Sequence, residues 1–148
     1  MTRKAVGRAM GAVCLATVMS VGSALARQAA PARSIWTGVY SPAQAKRGAA
    51  FYADTCVRCH GDDLTGVDDA EPLVGATFLG KWNGQTMADL LEQTQKSMPK
   101  DAPGTLTRQQ YVDMLAYVLK ANAYPAGETE LPRELEALKQ IRIEQIKK

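Results

Sequence analysis

The stretch Cys56-Val57-Arg58-Cys59-His60 decides how the rest of the sequence is interpreted. Cys-x-x-Cys-His is the covalent attachment signature of c-type haem. On one tight turn, each of the two thiols can form a thioether with a haem vinyl group, and the histidine that follows directs its imidazole at the iron. We therefore predict that Cys56 and Cys59 bind one haem c covalently and that His60 is the proximal axial ligand.

Three other interpretations of this motif fit the sequence less well. A structural zinc site needs four ligands, and residues 27–148 offer only these two cysteines and one histidine, adjacent to one another. A thioredoxin-like dithiol expects a preceding strand, whereas the segment before Cys56 has the pattern of a helix. A disulfide between residues three apart would constrain very little chain entropy.

The second axial ligand, on the opposite face of the haem, is predicted to be Met98. Histidine–methionine ligation is the electron-transfer pattern, and His60 is the single histidine of the chain, which excludes bis-histidine ligation. Met114 shares a helical face with apolar residues and is better explained as core, and Met87 lies at a helix start. Met98 is followed by Pro99 in a loop that could present its thioether to the iron.

The first 26 residues have the pattern of an export signal. A basic start, Arg3, Lys4 and Arg8, precedes the uncharged run 9–26, which ends in a small-x-small pattern that signal peptidase recognises. A retained membrane anchor is the alternative, but 10 of these 18 residues are Ala, Gly, Ser or Thr. We expect cleavage after residue 26 and a periplasmic location, with no membrane span once the leader is cut.

The leader also carries the whole net charge of +3. Without it, basic and acidic residues are equal in number, and the odd cysteine, Cys14, is lost. A near-neutral chain that carries two haem propionates is a poor ligand for nucleic acid. We therefore expect protein redox partners and no nucleic-acid partner.

Local start signals predict three helices and little else of regular structure. Ser41 and Pro42 open a helix that runs to about residue 55, and capping boxes at Thr86 and Thr107 open helices over about 87–97 and 108–122. Glycines and prolines make 61–84 look like a loop. The apolar residues of the C-terminal tail (Leu135, Leu138, Ile141 and Ile146) predict a fourth, amphipathic helix that packs on its own domain.

An acidic cluster follows the haem signature directly: Asp62, Asp63, Asp68, Asp69 and Glu71. Its order lacks the pattern of a calcium-binding loop. A solvated loop is the default interpretation, and a docking patch for a basic partner is the alternative.

Taken together, these features resemble a class I c-type cytochrome over most of residues 27–148. Gly48, Tyr52 and Cys56 are spaced at four-residue intervals as in the N-terminal helix of that family, where the glycine lets a C-terminal helix cross closely, here at Tyr117. More narrowly, the chain is similar to small bacterial periplasmic cytochromes that occur alone or with quinoprotein (pyrroloquinoline quinone, PQQ) dehydrogenases. The stretches that carry this narrower similarity are Gly38-Val39-Tyr40, Pro72-Leu73-Val74-Gly75, Phe78, Trp82, Asp89-Leu90, Met98-Pro99 and Asn122.

The resemblance implies an all-α fold, a small helical bundle around one covalently bound haem. It also implies that Pro72 supplies the carbonyl that accepts the ring N–H of the proximal histidine. The organisation expected is a signal peptide over 1–26, a lead-in segment over 27–40, a cytochrome domain over 41–126 and a helical extension over 127–148.

The function expected is that of an electron-transfer protein rather than an enzyme. It would carry single electrons in the periplasm between a dehydrogenase, such as a PQQ-dependent one, and a terminal oxidase. One alternative is a cytochrome subunit held permanently by a larger dehydrogenase, with the tail as the contact. Another is a haem enzyme or gas sensor with a labile sixth ligand, which would need a distal acid or base.

Overall fold

The structure is a computed structural model that describes residues 1–2 and 32–145. The predicted leader, 1–26, lies outside the described residues apart from its first two. Within residues 32–145 the elements are, in chain order, β1 Arg33–Ser34, a 3-10 turn Ile35–Thr37, α1 Pro42–Thr55, α2 Val57–His60, α3 Gly75–Trp82, α4 Met87–Ser97, α5 Arg108–Ala121, α6 Leu135–Leu138 and β2 Ile141–Arg142. The prediction of an essentially all-α fold is confirmed.

The three predicted helices begin where their capping residues indicate. The Ser41 hydroxyl accepts the Gln44 N–H at 3.1 Å, and Pro42 occupies the first turn of α1. Reciprocal capping boxes at Thr86 and Thr107 open α4 and α5. Each cap provides a hydrogen-bond acceptor for backbone N–H groups that otherwise lack a partner at the start of a helix. One such cap stabilises the folded protein by about 1 kcal/mol.

The segment predicted as a loop over 61–84 contains a helix, α3. Phe78 and Trp82 lie one turn apart on this helix, and both are buried. The glycines of this segment lower its intrinsic helix propensity, but burial of one apolar face outweighs that cost. The prediction of an irregular segment is therefore wrong for 75–82.

The tail is not one amphipathic helix, which corrects the sequence-based prediction. It forms the single turn α6 and then the strand β2, which pairs in parallel with β1. Leu138 and Ile141 fit a helical spacing, but Ile141 and Ile143 alternate on one side of an extended chain, and all three are fully buried. The Ile143 N–H donates to the Gln85 carbonyl at 2.8 Å, so backbone pairing with the start of α4 replaces helical bonding.

The tail does pack on its own domain, as predicted. The side-chain amide of the buried Gln44 bonds both backbone groups of Leu131, donating to its carbonyl at 3.1 Å and accepting its N–H at 2.6 Å. Arg47 forms an ion pair with Glu130 at 2.8 Å. The apolar face that would have contacted another protein is therefore used within the chain.

Helices α1 and α5 cross in direct contact at Gly48. A Cβ atom at Gly48 would lie 1.9 Å from the Asp113 carbonyl oxygen and 3.0 Å from Tyr117 Cβ. The Arg47 guanidinium bonds both Asp113 carboxylate oxygens at 2.9 and 3.0 Å beside the crossing. The prediction that Gly48 admits the C-terminal helix near Tyr117 is confirmed.

We expect Gly48→Ala to lower the free energy of unfolding by about 3 kcal/mol, because the added methyl group meets rigid backbone and the helices must separate. Gly80→Ala is the matched control. Gly80 also lies within a helix, but nothing lies within 4 Å of its added Cβ, so the change should be neutral or stabilising by about 0.5–1 kcal/mol. Chemical denaturation of both variants measures the difference, and equal stabilities would contradict the crossing.

Candidate functional site: a cavity at the Cys-x-x-Cys-His motif

A cavity of about 830 Å³ lies between the Cys-x-x-Cys-His motif and helices α3, α4 and α5. This volume falls in the range of cofactor sites, about 300–1,000 Å³. Large apolar side chains form much of its wall: Phe78, Trp82, Leu90, Leu106, Leu115 and Val118. A flat apolar cofactor of the size of haem fits such a space.

The motif occupies the junction between α1 and α2, at one wall of the cavity. The Cys56 N–H closes α1 by donating to the Tyr52 carbonyl, and the Cys56 carbonyl accepts the N–H groups of Cys59 at 3.2 Å and His60 at 3.0 Å. The resulting turn brings all three motif side chains to the same cavity. The structure thus unites the three residues that the sequence singled out.

The two thiols differ in exposure. Cys56 is half-buried and Cys59 is exposed. Burial, with a smaller contribution from Cys59, raises the pKa of the Cys56 thiol to about 11. Thioredoxin-like motifs instead lower the pKa of one cysteine to generate a thiolate at neutral pH. The raised pKa of the Cys56 thiol is therefore opposite in direction to the shift at the reactive cysteine of such a motif.

The His60 ring is buried and oriented by a backbone carbonyl. Its Nδ1 lies 3.1 Å from the Glu71 carbonyl oxygen. Because a carbonyl can only accept, Nδ1 is the donor of this bond, and in the neutral ring Nε2 then has a free lone pair for a metal. A bond of this kind fixes the tautomer and makes the other nitrogen a stronger donor.

The carbonyl on the His60 ring belongs to Glu71 and not to Pro72, which corrects the assignment made from the resemblance. The Leu73 N–H donates to the Leu64 carbonyl at 2.8 Å, which fixes the register of the chain. In that register, the peptide before Pro72 faces the ring. Pro72 itself lines the cavity.

Met98 ends α4 at the cavity and has an anchored backbone. Its carbonyl accepts the Tyr111 hydroxyl at 2.7 Å and the Gly104 N–H at 3.3 Å. Met114, predicted as core, is buried and also lines the cavity, whereas Met87 is fully buried and is not a lining residue. Two methionines, Met98 and Met114, can therefore reach this space.

Sequence reasoning missed two residues that hold the site together. The sequence offered no reason to single out Tyr111, yet its hydroxyl donates to the Met98 carbonyl and anchors that residue. Asn122 was noted only within the resemblance. Its side chain donates to the Leu73 carbonyl at 2.9 Å and accepts the Gly75 N–H at 3.0 Å, which ties the end of α5 to the start of α3. The resemblance and the position of a polar residue directly after a helix were the two signals for Asn122.

Charged residues surround the mouth of the cavity. Asp68, Asp69 and Glu71 of the acidic cluster are among its lining residues. Glu71 pairs with Lys81 of α3, and Arg58 pairs with Asp101 at 3.3 Å, so two ion pairs link different segments across the rim. These pairs are largely exposed and contribute little to stability.

The described part of the chain contains no helix that is both long and apolar enough to cross a lipid bilayer.

An all-α fold whose Cys-x-x-Cys-His motif lies at an apolar cavity is that of a class I c-type cytochrome. A family model described as cytochrome c oxidase, cbb3-type, subunit III matches residues 43–118, just over half of the chain. The chain belongs to this family of c-type cytochrome domains. It is therefore an electron-transfer protein rather than an enzyme, and its cofactor is covalently bound haem c with iron.

A solved structure supports the fold. A chain in the crystal structure of the sulfane dehydrogenase SoxCD from Paracoccus pantotrophus is similar, with a TM-score of 0.55 and 24% sequence identity. The similarity covers 66% of this chain and 52% of that one, so the present chain spans about half the length of that relative. No curated protein matches the chain.

Proposed function

We propose that this cytochrome carries single electrons through one haem held by thioether bonds at Cys56 and Cys59, with His60 Nε2 and Met98 Sδ as axial ligands. The observation that carries the proposal is that all four side chains line one cavity. When bound, the haem iron supplies the Fe(III)/Fe(II) couple. The match to residues 43–118 lies within the segment 41–126 that we propose as the haem domain.

The chain's own residues prepare this site for electron transfer by limiting rearrangement. The Glu71 carbonyl holds the His60 ring, and the Tyr111 hydroxyl holds the Met98 backbone. Apolar side chains of α3, α4 and α5 exclude water from the cavity. This exclusion of water and the methionine ligand both raise the reduction potential of the haem. With His60 and Met98 both held in place, these residues would bind the haem iron with little rearrangement when it changes oxidation state.

We propose a periplasmic location and protein redox partners. The export pattern of residues 1–26 supports the location, and c-type cytochrome domains are typically exported. The proposed donor is a dehydrogenase, such as a PQQ-dependent one, and the proposed acceptor is a terminal oxidase. Encounters of this kind bury little surface and are brief.

A second candidate is a subunit held permanently by a larger oxidoreductase. The family description refers to an oxidase subunit, and the similar solved structure is a dehydrogenase. The tail is no longer a suitable contact, because Leu138, Ile141 and Ile143 are buried within the chain. Size-exclusion chromatography of the native protein from its host distinguishes the two, since a free carrier elutes at the mass of the monomer.

We expect the ferric wild-type protein to show the red-region charge-transfer band of methionine-ligated haem, and the ferrous protein to bind no carbon monoxide. Titration with a reductant should take up one electron per haem. Both axial positions are then filled by the protein, as a carrier requires. Ready binding of carbon monoxide would instead favour the haem enzyme or gas sensor with a labile sixth ligand.

A further inference from the structure

The loop between His60 and Leu73 folds back onto the proximal residue and bonds its backbone as well as its ring. The Gly66 N–H donates to the His60 carbonyl at 3.0 Å, and the Val67 N–H donates to the Cys59 carbonyl at 2.8 Å. Five residues after Gly66, the Glu71 carbonyl accepts the His60 ring proton. The backbone and the ring of His60 are therefore held by the two ends of the short segment 66–71.

Within the segment 66–71, the Ala70 backbone approaches Gly66 so closely that no side chain fits at position 66. A Cβ atom at Gly66 would lie 2.0 Å from the Ala70 carbonyl oxygen, 3.1 Å from the Ala70 carbonyl carbon and 3.4 Å from the Glu71 carbonyl carbon. Its φ of +86° also lies in the region that favours glycine. The close approach involves backbone atoms, which cannot rotate aside as a side chain can.

We propose that Gly66 is a positioning residue for the proximal ligand, because its missing side chain lets Ala70 approach and so places the Glu71 carbonyl on the His60 ring proton. This inference rests on the proposed function, in which His60 binds the iron. Gly66 is not among the residues that line the cavity, and it acts through the adjacent Ala70–Glu71 peptide.

This placement sets the donor strength of His60. A strong Nδ1–H···O bond gives the ring more anionic character, which makes Nε2 a better donor and favours ferric iron. A methyl group at position 66 must displace the peptide between Ala70 and Glu71. The hydrogen bond from His60 Nδ1 to the Glu71 carbonyl then becomes longer. The expected result is a more positive reduction potential.

The test compares Gly66→Ala with Gly84→Ala in the haem-loaded protein. Gly84 has nearly the same φ, +85°, but nothing lies within 4 Å of its added Cβ, so it reproduces the backbone strain without the clash. Spectroelectrochemistry gives the potential, and proton NMR of the ferrous protein in D2O gives the exchange rate of the His60 ring N–H. We expect the potential to rise and the exchange to become about tenfold faster only in Gly66→Ala, since loss of one ordinary hydrogen bond corresponds to about that factor.

Insertion of one glycine between Asp69 and Ala70 provides a second variant in case Gly66→Ala accumulates no haem protein. The insertion relaxes the close approach without adding a side chain, and surface loops tolerate such changes. It should raise the potential and the exchange rate as well. A wild-type reduction potential and a wild-type exchange rate in either variant, with wild-type iron ligation, would overturn this inference alone. A wild-type protein in which His60 does not bind the haem iron would overturn the proposed function.

Discussion

Replacement of both Cys56 and Cys59 by alanine is expected to abolish covalent haem attachment completely. Each thiol supplies the sulfur of one thioether, and the two side chains lie at the same cavity wall. With neither sulfur present, any haem that enters the cavity is held only by axial ligation and apolar contact. Denaturation then releases it.

Haem staining on a denaturing gel measures this loss. Cys56→Ala alone should keep the stain at lower yield, because Cys59 still forms one bond. Val57→Ala is the control inside the motif, since it leaves both thiols and His60 in place and Val57 does not line the cavity. A stain that persists in the double variant would contradict attachment at these cysteines.

Features that depend on a few consecutive residues were predictable from the sequence. The capping groups at Ser41, Thr86 and Thr107 act within one helical turn, so the starts of α1, α4 and α5 followed from them directly. The haem motif lies within five consecutive residues. The close approach at Gly48 followed from the family resemblance, and the clash of a Cβ with Asp113 confirms it.

Features that depend on distant partners were not predictable in the same way. The tail extends along the start of α4 because Ile143 bonds the Gln85 backbone, and no pattern within residues 127–148 encodes that partner. The acceptor on His60 is a backbone carbonyl, which any residue type can supply. Assignment to Pro72 by resemblance was therefore wrong by one residue, and only the register of the folded loop identifies Glu71.

Substitution of Met98 by alanine is expected to remove the red-region charge-transfer band of the ferric protein entirely and to let the ferrous protein bind carbon monoxide. The thioether is the only group of Met98 that can ligate iron, and alanine leaves an open position. The potential should fall as well, because methionine ligation raises it. Absorption spectra of the purified haem protein measure the first two effects.

Met114→Leu is the matched control, because Met114 is the other methionine at the cavity. Leucine nearly conserves its volume, so packing changes little. Met98 follows the last turn of α4 in extended backbone, with its carbonyl held by Tyr111, whereas Met114 lies within the regular helix α5 at 7% exposure. Met98 can thus approach the iron without distorting a helix. A band that survives Met98→Ala but disappears in Met114→Leu would place the distal ligand on α5.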